Sequence, residues 1–455
     1  MRKCVWCLIA AFWGLGSFSE NVNAGVNDNV SANVNADVNV SVDAVDSADN
    51  TVSSPEQSDG STNKDFVRTF ETTDTTDSFI SNRDTAKSKN SAKVSVISVS
   101  DNRFDIAAAK IAGIDSQNED IPEFKEYSEF IQTSWNRLCH ESLNHIPSWT
   151  EKYLKEFIEK YDTLFYPFGG PDVSYAISFF PNAKHYILVG LEALGNFDQI
   201  EKNLSNGQYY NSVRTAFSHY LRKGYFITSE MQTQLSNATV KGGLNLVLLA
   251  LKRLGFNILE VKNCSIDAGG NISDPTPGNI NCIKIVCERD SAKKEIFYVR
   301  TNLSNENSKL NYLTNFVRKF KFSTFVKSAS YSLHDRNFTN IRSFILNETR
   351  CILQDDTGIP FNFFRRNWDV HIFGTYTKPT LPVFRAYKQN SLSEYYLNHE
   401  AKPIPFPIGY GYVKRTPNLV FAVSLKKKVE EQLDKLKAQL KKKKCNCSKK
   451  SSKKG

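Results

Sequence analysis

The sequence predicts an α/β fold, and three observations predict it. Residues 163–197 read TLFYPFGGPDVSYAISFFPNAKHYILVGLEALGNF. This is an apolar run, a tight turn at Gly169-Gly170-Pro171-Asp172, a short apolar segment ended by Pro181, and a second apolar run that stops on Glu192. Downstream, short strand-like runs alternate with amphipathic stretches, the pattern of strands joined by crossover helices in a mainly parallel sheet. The neighbouring runs 282–287 and 295–300 have no helical stretch between them and mark an inserted antiparallel hairpin. Strand, glycine turn, helix, and strand with an acidic end make the first half of a Rossmann-like βαβ unit. The expected fold is therefore a single Rossmann-like domain over residues 121–423.

Both ends differ in character from that domain. Residues 1–24 carry Arg2 and Lys3, an apolar core from Cys4 to Leu15, and the small-residue site Val22-Asn23-Ala24, the form of a signal peptide cleaved near Ala24. The apolar core is too short to span a bilayer, and no later stretch reaches the roughly 20 apolar residues a membrane helix needs. The mature chain is expected to be exported, periplasmic or secreted, with no transmembrane span. Residues 25–120 begin with an Asn-Val dipeptide theme, continue in Ser, Thr and Asp, and carry a net charge of −9. So little apolar surface predicts a disordered low-complexity spacer.

Within the domain, apolar residues at helical spacing predict helices over 123–139 and 149–161 ahead of the central unit. A helix over 212–223 stops at Gly224, and a more apolar one over 242–254 stops at Gly255. Strands follow at 256–261, 282–287 and 295–300, a helix at 310–320 and a strand at 324–329. A helix at 340–346 then precedes strands at 351–354, 370–376 and 419–423. Residues 378–411, rich in Pro, Tyr and Phe, are expected to wrap the sheet as loops. In the tail, 424–455, Leu425, Val429, Leu433, Leu436 and Leu440 form a helical stripe compatible with a short coiled coil. The tail carries 13 lysines against three acids, so the expected partner is an anionic surface or polymer.

Seven cysteines remain after the signal, an odd number that cannot pair completely within one chain. In an oxidising compartment Cys264 has two candidate partners, Cys282 and Cys287; the alternative is that they are buried apolar residues. No cysteine pair has zinc spacing, and no metal site is assigned.

Three clusters carry candidate chemistry. Gly169 and Gly170 would let a ligand approach the backbone, Asp172 would sit at the helix start, and Glu192, 22 residues after Gly170, would hold a ribose hydroxyl. Pro171 removes an amide that a phosphate would use. That argues against a dinucleotide, leaves a nucleoside-type cofactor such as S-adenosylmethionine open, and leaves the cofactor unassigned; the competing reading is a structural turn with Asp172 as helix cap. Next, Lys327, Ser328, Ser330 and His334 suggest an activated serine with a histidine base, but no G-x-S-x-G elbow is present, and neighbouring strand residues point to opposite faces. Finally, Asp355 and Asp356 in QDDTGIP form a carboxylate pair for metal binding or acid–base work, or an ordinary turn.

The blocks YPFGGPD, GLE, KSASYSLH, ILQDDTGIP and FGTY, in this order, resemble an uncharacterised family of exported bacterial proteins, over about residues 150–423. The resemblance implies the same α/β domain, with methyltransferase-like descent as one option, and brings no catalytic residues. The leading expectation is an exported binding or surface-associated protein with a basic tail. The alternatives are a methyltransferase-like enzyme binding a nucleoside cofactor, and a hydrolase using Ser328 or Ser330 with His334 and Asp355.

Overall fold

A computed structural model describes residues 102–114, 121–224, 240–364, 366–410, 412 and 416–451. The expected signal peptide and nearly all of the expected spacer lie outside these residues. One part of that spacer does not. Arg103–Ile111 is a helix capped by Asn102, with Ala107, Ala108 and Ile111 buried in the core, so the folded region starts before Ile121. Three buried apolar residues on one face, with Asp105 accepting from Lys252 Nζ (2.6 Å) and from the Ile258 amide (2.8 Å), tie down a segment whose overall composition is polar.

The architecture is α/β around a mixed sheet of ten strands: β1 Thr163–Tyr166, β2 His185–Gly190, β3 Asn257–Ile266, β4 Ile272–Ser273, β5 Ile280–Arg289, β6 Ala292–Arg300, β7 Phe322–Val326, β8 Cys351–Gln354, β9 Trp368–Gly374 and β10 Asn418–Ser424. The order is β4-β3-β5-β6-β2-β1-β7-β8-β10-β9. Four pairings are parallel and make a central block, β6-β2-β1-β7-β8. The other five are antiparallel, so the expected mainly parallel sheet is corrected. Hydrophobic period shows which residues pair but not in which direction, and the excursion β3–β5 and the reversed β10 add antiparallel edges to both sides. The expected hairpin is present as β5–β6, and β3 adds a third long antiparallel strand to it.

The two faces of the sheet bury separate cores. Leu164, Tyr166, Tyr186, Leu188 and Phe325 face the helices Pro122–Leu138, Val173–Phe179, Gly207–Lys223 and Leu244–Arg253. Phe165, Ile187, Val189 and Val326 face Leu310–Val317 and Thr339–Glu348. Gly224 closes its helix in the left-handed conformation (φ +70°), as its position in the sequence predicts. The segment 378–411 is not all loop: it contains a helix at Asn390–Asn398 that buries Leu392. The tail is helical from Leu425 to Ser451 and continues directly from β10.

Candidate functional site

The carboxyl ends of β1, β2 and β7 meet around one concavity. It is lined by the turn from Phe168 to Asp172, by Val189–Glu192, by Thr301 and Leu303, and by Lys327–Ser330. Gly169, Gly170, Asp172, Glu192, Lys327, Ser328 and Ser330, picked from three separate sequence blocks, therefore lie together. The concavity is small, with a volume of about 60 Å³. That is room for a few waters.

Its floor is an ion pair. Lys327 Nζ donates to Asp172 Oδ2 at 3.0 Å and to the Gly224 carbonyl at 2.7 Å, and lies 4.2 Å from the centroid of the Tyr175 ring. Asp172 Oδ2 also accepts from Tyr166 Oη (3.1 Å), and Oδ1 accepts from Tyr220 Oη (2.9 Å) and from the Tyr175 amide (3.4 Å) as helix cap. Burial, reinforced by the Asp172 charge, holds the phenols of Tyr166 and Tyr220 in their protonated, donating form. Asp172 thus has the capping role that its place in the sequence suggested, with a buried cation added.

Glu192 is 4 % exposed and accepts from Tyr298 Oη and from the Leu191 amide (3.1 Å). Burial pushes its pKa up. Its carboxylate fills a slot made by two glycines: a Cβ at Gly190 would stand 2.2 Å from Oε1, and one at Gly170 (φ +52°) 3.0 Å from it. A Cβ at Gly169 would run into the Tyr166 ring at 2.6 Å. The glycines of the turn make room for the protein's own side chains, and the Gly170 amide is spent on the Val189 carbonyl (3.0 Å).

The expected strand 324–329 ends at Val326, which corrects the facing argument for Lys327 to Ser330. Ser328, Ser330 and Tyr331 adopt φ of +56°, +52° and +58°, and Phe168, on the opposite rim, +63°. Half of the eight non-glycine residues with positive φ, among those described, are thus gathered here. Left-handed backbone in such residues costs of order 1–3 kcal/mol each and persists only where surroundings impose it. The loop after β8 imposes it: Asp355 accepts from the Ser328 amide (2.9 Å), Thr357 Oγ1 from the Ala329 amide (2.8 Å), and Asp356 from Tyr331 Oη (2.7 Å). Asp355 and Asp356 therefore stand behind the concavity as supports and do not line it. Asp356 also accepts from Tyr412 Oη (3.0 Å) and Asn418 Nδ2 (3.1 Å), and burial together with the Asp355 charge pushes its pKa up to about 7.

His334 is not brought to the serines. It packs edge-on to Tyr331 and Tyr387, and burial with the Arg342 charge pushes its pKa down to about 4. Ser328 and Ser330 make no side-chain hydrogen bond among the described residues, and Lys327 is committed to Asp172. The serine–histidine arrangement is not assembled. Among the described residues no group of three His, Cys, Asp or Glu side chains is placed to hold a metal ion. Tyr166, Tyr220, Tyr298, Tyr331 and Tyr412 were missed by sequence reasoning; Gly190, two residues before Glu192, was the one local sign of a crowded carboxylate.

The second candidate surface is the tail helix. At 100° per residue, Leu425, Val429, Leu433, Leu436 and Leu440 fall within an arc of about 80°. They are 37 %, 53 %, 49 %, 55 % and 58 % exposed. The opposite side of the helix docks instead: Glu431 lies 3.2 Å from the guanidinium of Arg350, which is 1 % exposed, and Lys427 is 4.0 Å from Glu348. The apolar stripe therefore points away from the domain. Among the described residues no helix is long and apolar enough to cross a membrane.

The chain matches no family model, no curated protein and no solved structure.

Proposed function

We propose that this chain is an exported, surface-associated binding protein whose tail helix lies in the face of an anionic membrane. The observation that carries the reading is the outward stripe of Leu425 to Leu440 on a helix that is otherwise dominated by lysine. A helix with low mean hydropathy, an apolar arc and a lysine-rich remainder is built for the lipid interface. A few lysines near an anionic bilayer contribute about 1 kcal/mol each. Nucleic acid or another anionic polymer would use the lysines and leave the leucines in water.

The test is cosedimentation of the full chain with phosphatidylglycerol-containing and with purely phosphatidylcholine vesicles. Binding is expected to the anionic vesicles alone, to fall with salt, and to be lost in Leu433→Ser/Leu436→Ser/Leu440→Ser. Binding that survives this triple substitution, or prefers nucleic acid over vesicles, overturns the membrane reading.

A second reading, descent from a Rossmann-like methyltransferase, is favoured by the strand order. With the excursion β3–β5 set aside, the sheet reads third-second-first-fourth-fifth, then the reversed seventh, then the sixth. The first-to-fourth step is a topological switch point, and the concavity lies there. The residues present do not fit a nucleoside cofactor, because Glu192, Tyr166 and Lys327 occupy the crevice with the protein's own groups. Saturation binding of S-adenosylmethionine measured by calorimetry would reinstate the enzyme reading.

A further inference from the structure

Sequence alone left Cys264 with two partners, and the strand register separates them. In the β3–β5 ladder Cys264 stands directly opposite Cys282, whereas Cys287 stands opposite Ile258. Residues directly opposite in an antiparallel pair point to the same face, with Cα atoms about 4.5–5.5 Å apart, within the 4.4–6.8 Å that a disulfide bridges. Cys264 and Cys282 share the core on one face of the sheet, 3 % and 1 % exposed. Cys287 is in the core on the other face. Cys282 and Cys287 are five residues apart on one strand, an odd number, so they point to opposite sides.

We infer that Cys264 and Cys282 are a disulfide site that closes the loop 265–281. The chemistry is thiol–disulfide exchange with a small oxidised disulfide such as glutathione disulfide. The Cys264 thiolate attacks a sulfur of the oxidant and releases one thiol. The Cys282 thiolate then attacks the mixed disulfide and releases the second. The protein loses two electrons and two protons, and the oxidant is reduced to two thiols. Because both sulfurs are buried in the folded sheet, the exchange belongs to folding, before β5 is sealed between β3 and β6. The inference does not depend on the membrane reading, since the oxidant is supplied in the test.

The full chain is refolded in a glutathione/glutathione disulfide buffer, alkylated without reduction, digested and analysed by mass spectrometry. The expected result is a linked peptide pair containing Cys264 and Cys282, two mass units lighter than the two reduced peptides together, with Cys287 alkylated once the chain is unfolded. Thermal melting should fall by several degrees on reduction in the wild-type chain and in Cys287→Ala, and should not respond to reductant in Cys264→Ala or Cys282→Ala. Alkylation of both Cys264 and Cys282 after oxidative refolding, or a link to Cys287, overturns the inference.

Discussion

Lys327 and Asp172 show what a buried charge demands of its neighbours. At 5 % and 2 % side-chain exposure, neither can be stripped of its partner without leaving a charge out of water. Lys327→Met is expected to destabilise the domain by about 3–5 kcal/mol in urea denaturation. Asp356 makes a prediction of opposite character. Its folded pKa of about 7 lies above the ordinary carboxylate value, so the folded state holds the proton more tightly. Its contribution is full below the unfolded pKa and is lost as pH rises towards 7. His334, pushed down to about 4, works in the other direction: its contribution is present above its unfolded value and lost as pH falls. Asp356→Asn should therefore shift the slope of stability against pH, between about pH 4 and 7, towards more positive values, as read from urea midpoints. An unchanged slope would show that Asp356 is ionised throughout. Glu192 and Asp172 were legible in the sequence because an acid after an apolar run stands out. Their roles were not, since Tyr298 and Tyr220 reach them from positions 106 and 48 residues away.

At the scale of elements, strand and helix cores were read well: β8 was predicted residue for residue, and the helix ends at Gly224 and near Gly255 follow from their glycines. The end of β7 was not, because Phe325-Val326-Lys327-Ser328-Ala329-Ser330 carries no glycine or proline to mark the stop, while its backbone curls into left-handed turns. What ends the strand is the pull of Asp355 and Thr357, which follow the next strand, β8. Ser330→Gly should remove strain at a partly exposed site and stabilise the domain by about 1 kcal/mol in urea denaturation, unless the hydroxyl has a ligand. The tail helix gives a second test. Truncation at Ser424 would strip Arg350 of Glu431, whereas a stop after Gln432 keeps that pair. The shorter chain should lose several kcal/mol of stability and the longer one should melt with the parent.

For the molecule as a whole, the sheet is the wall between two cores, and neighbouring residues of one strand serve both. Ile187 belongs to one and Leu188 to the other, each fully buried. Ile187→Ala and Leu188→Ala should each cost about 2–5 kcal/mol and shift one common unfolding transition, monitored by near- and far-ultraviolet circular dichroism together. Two separate transitions would mean that the cores unfold independently. The start of the fold was misjudged from sequence because the bulk composition of 25–120 hides the nine residues of Arg103–Ile111, whose apolar face pays its way only in contact with the rest. The continuity of β10 into the tail helix has a mechanical consequence. β10 lies between β8 and β9, and its hydrogen bonds to both run across the strand direction. A chain held by its tail and dragged by flow would be pulled along β10. Those bonds would be loaded together in shear and not peeled one at a time, so a load on the tail would enter the domain where it is best able to bear force.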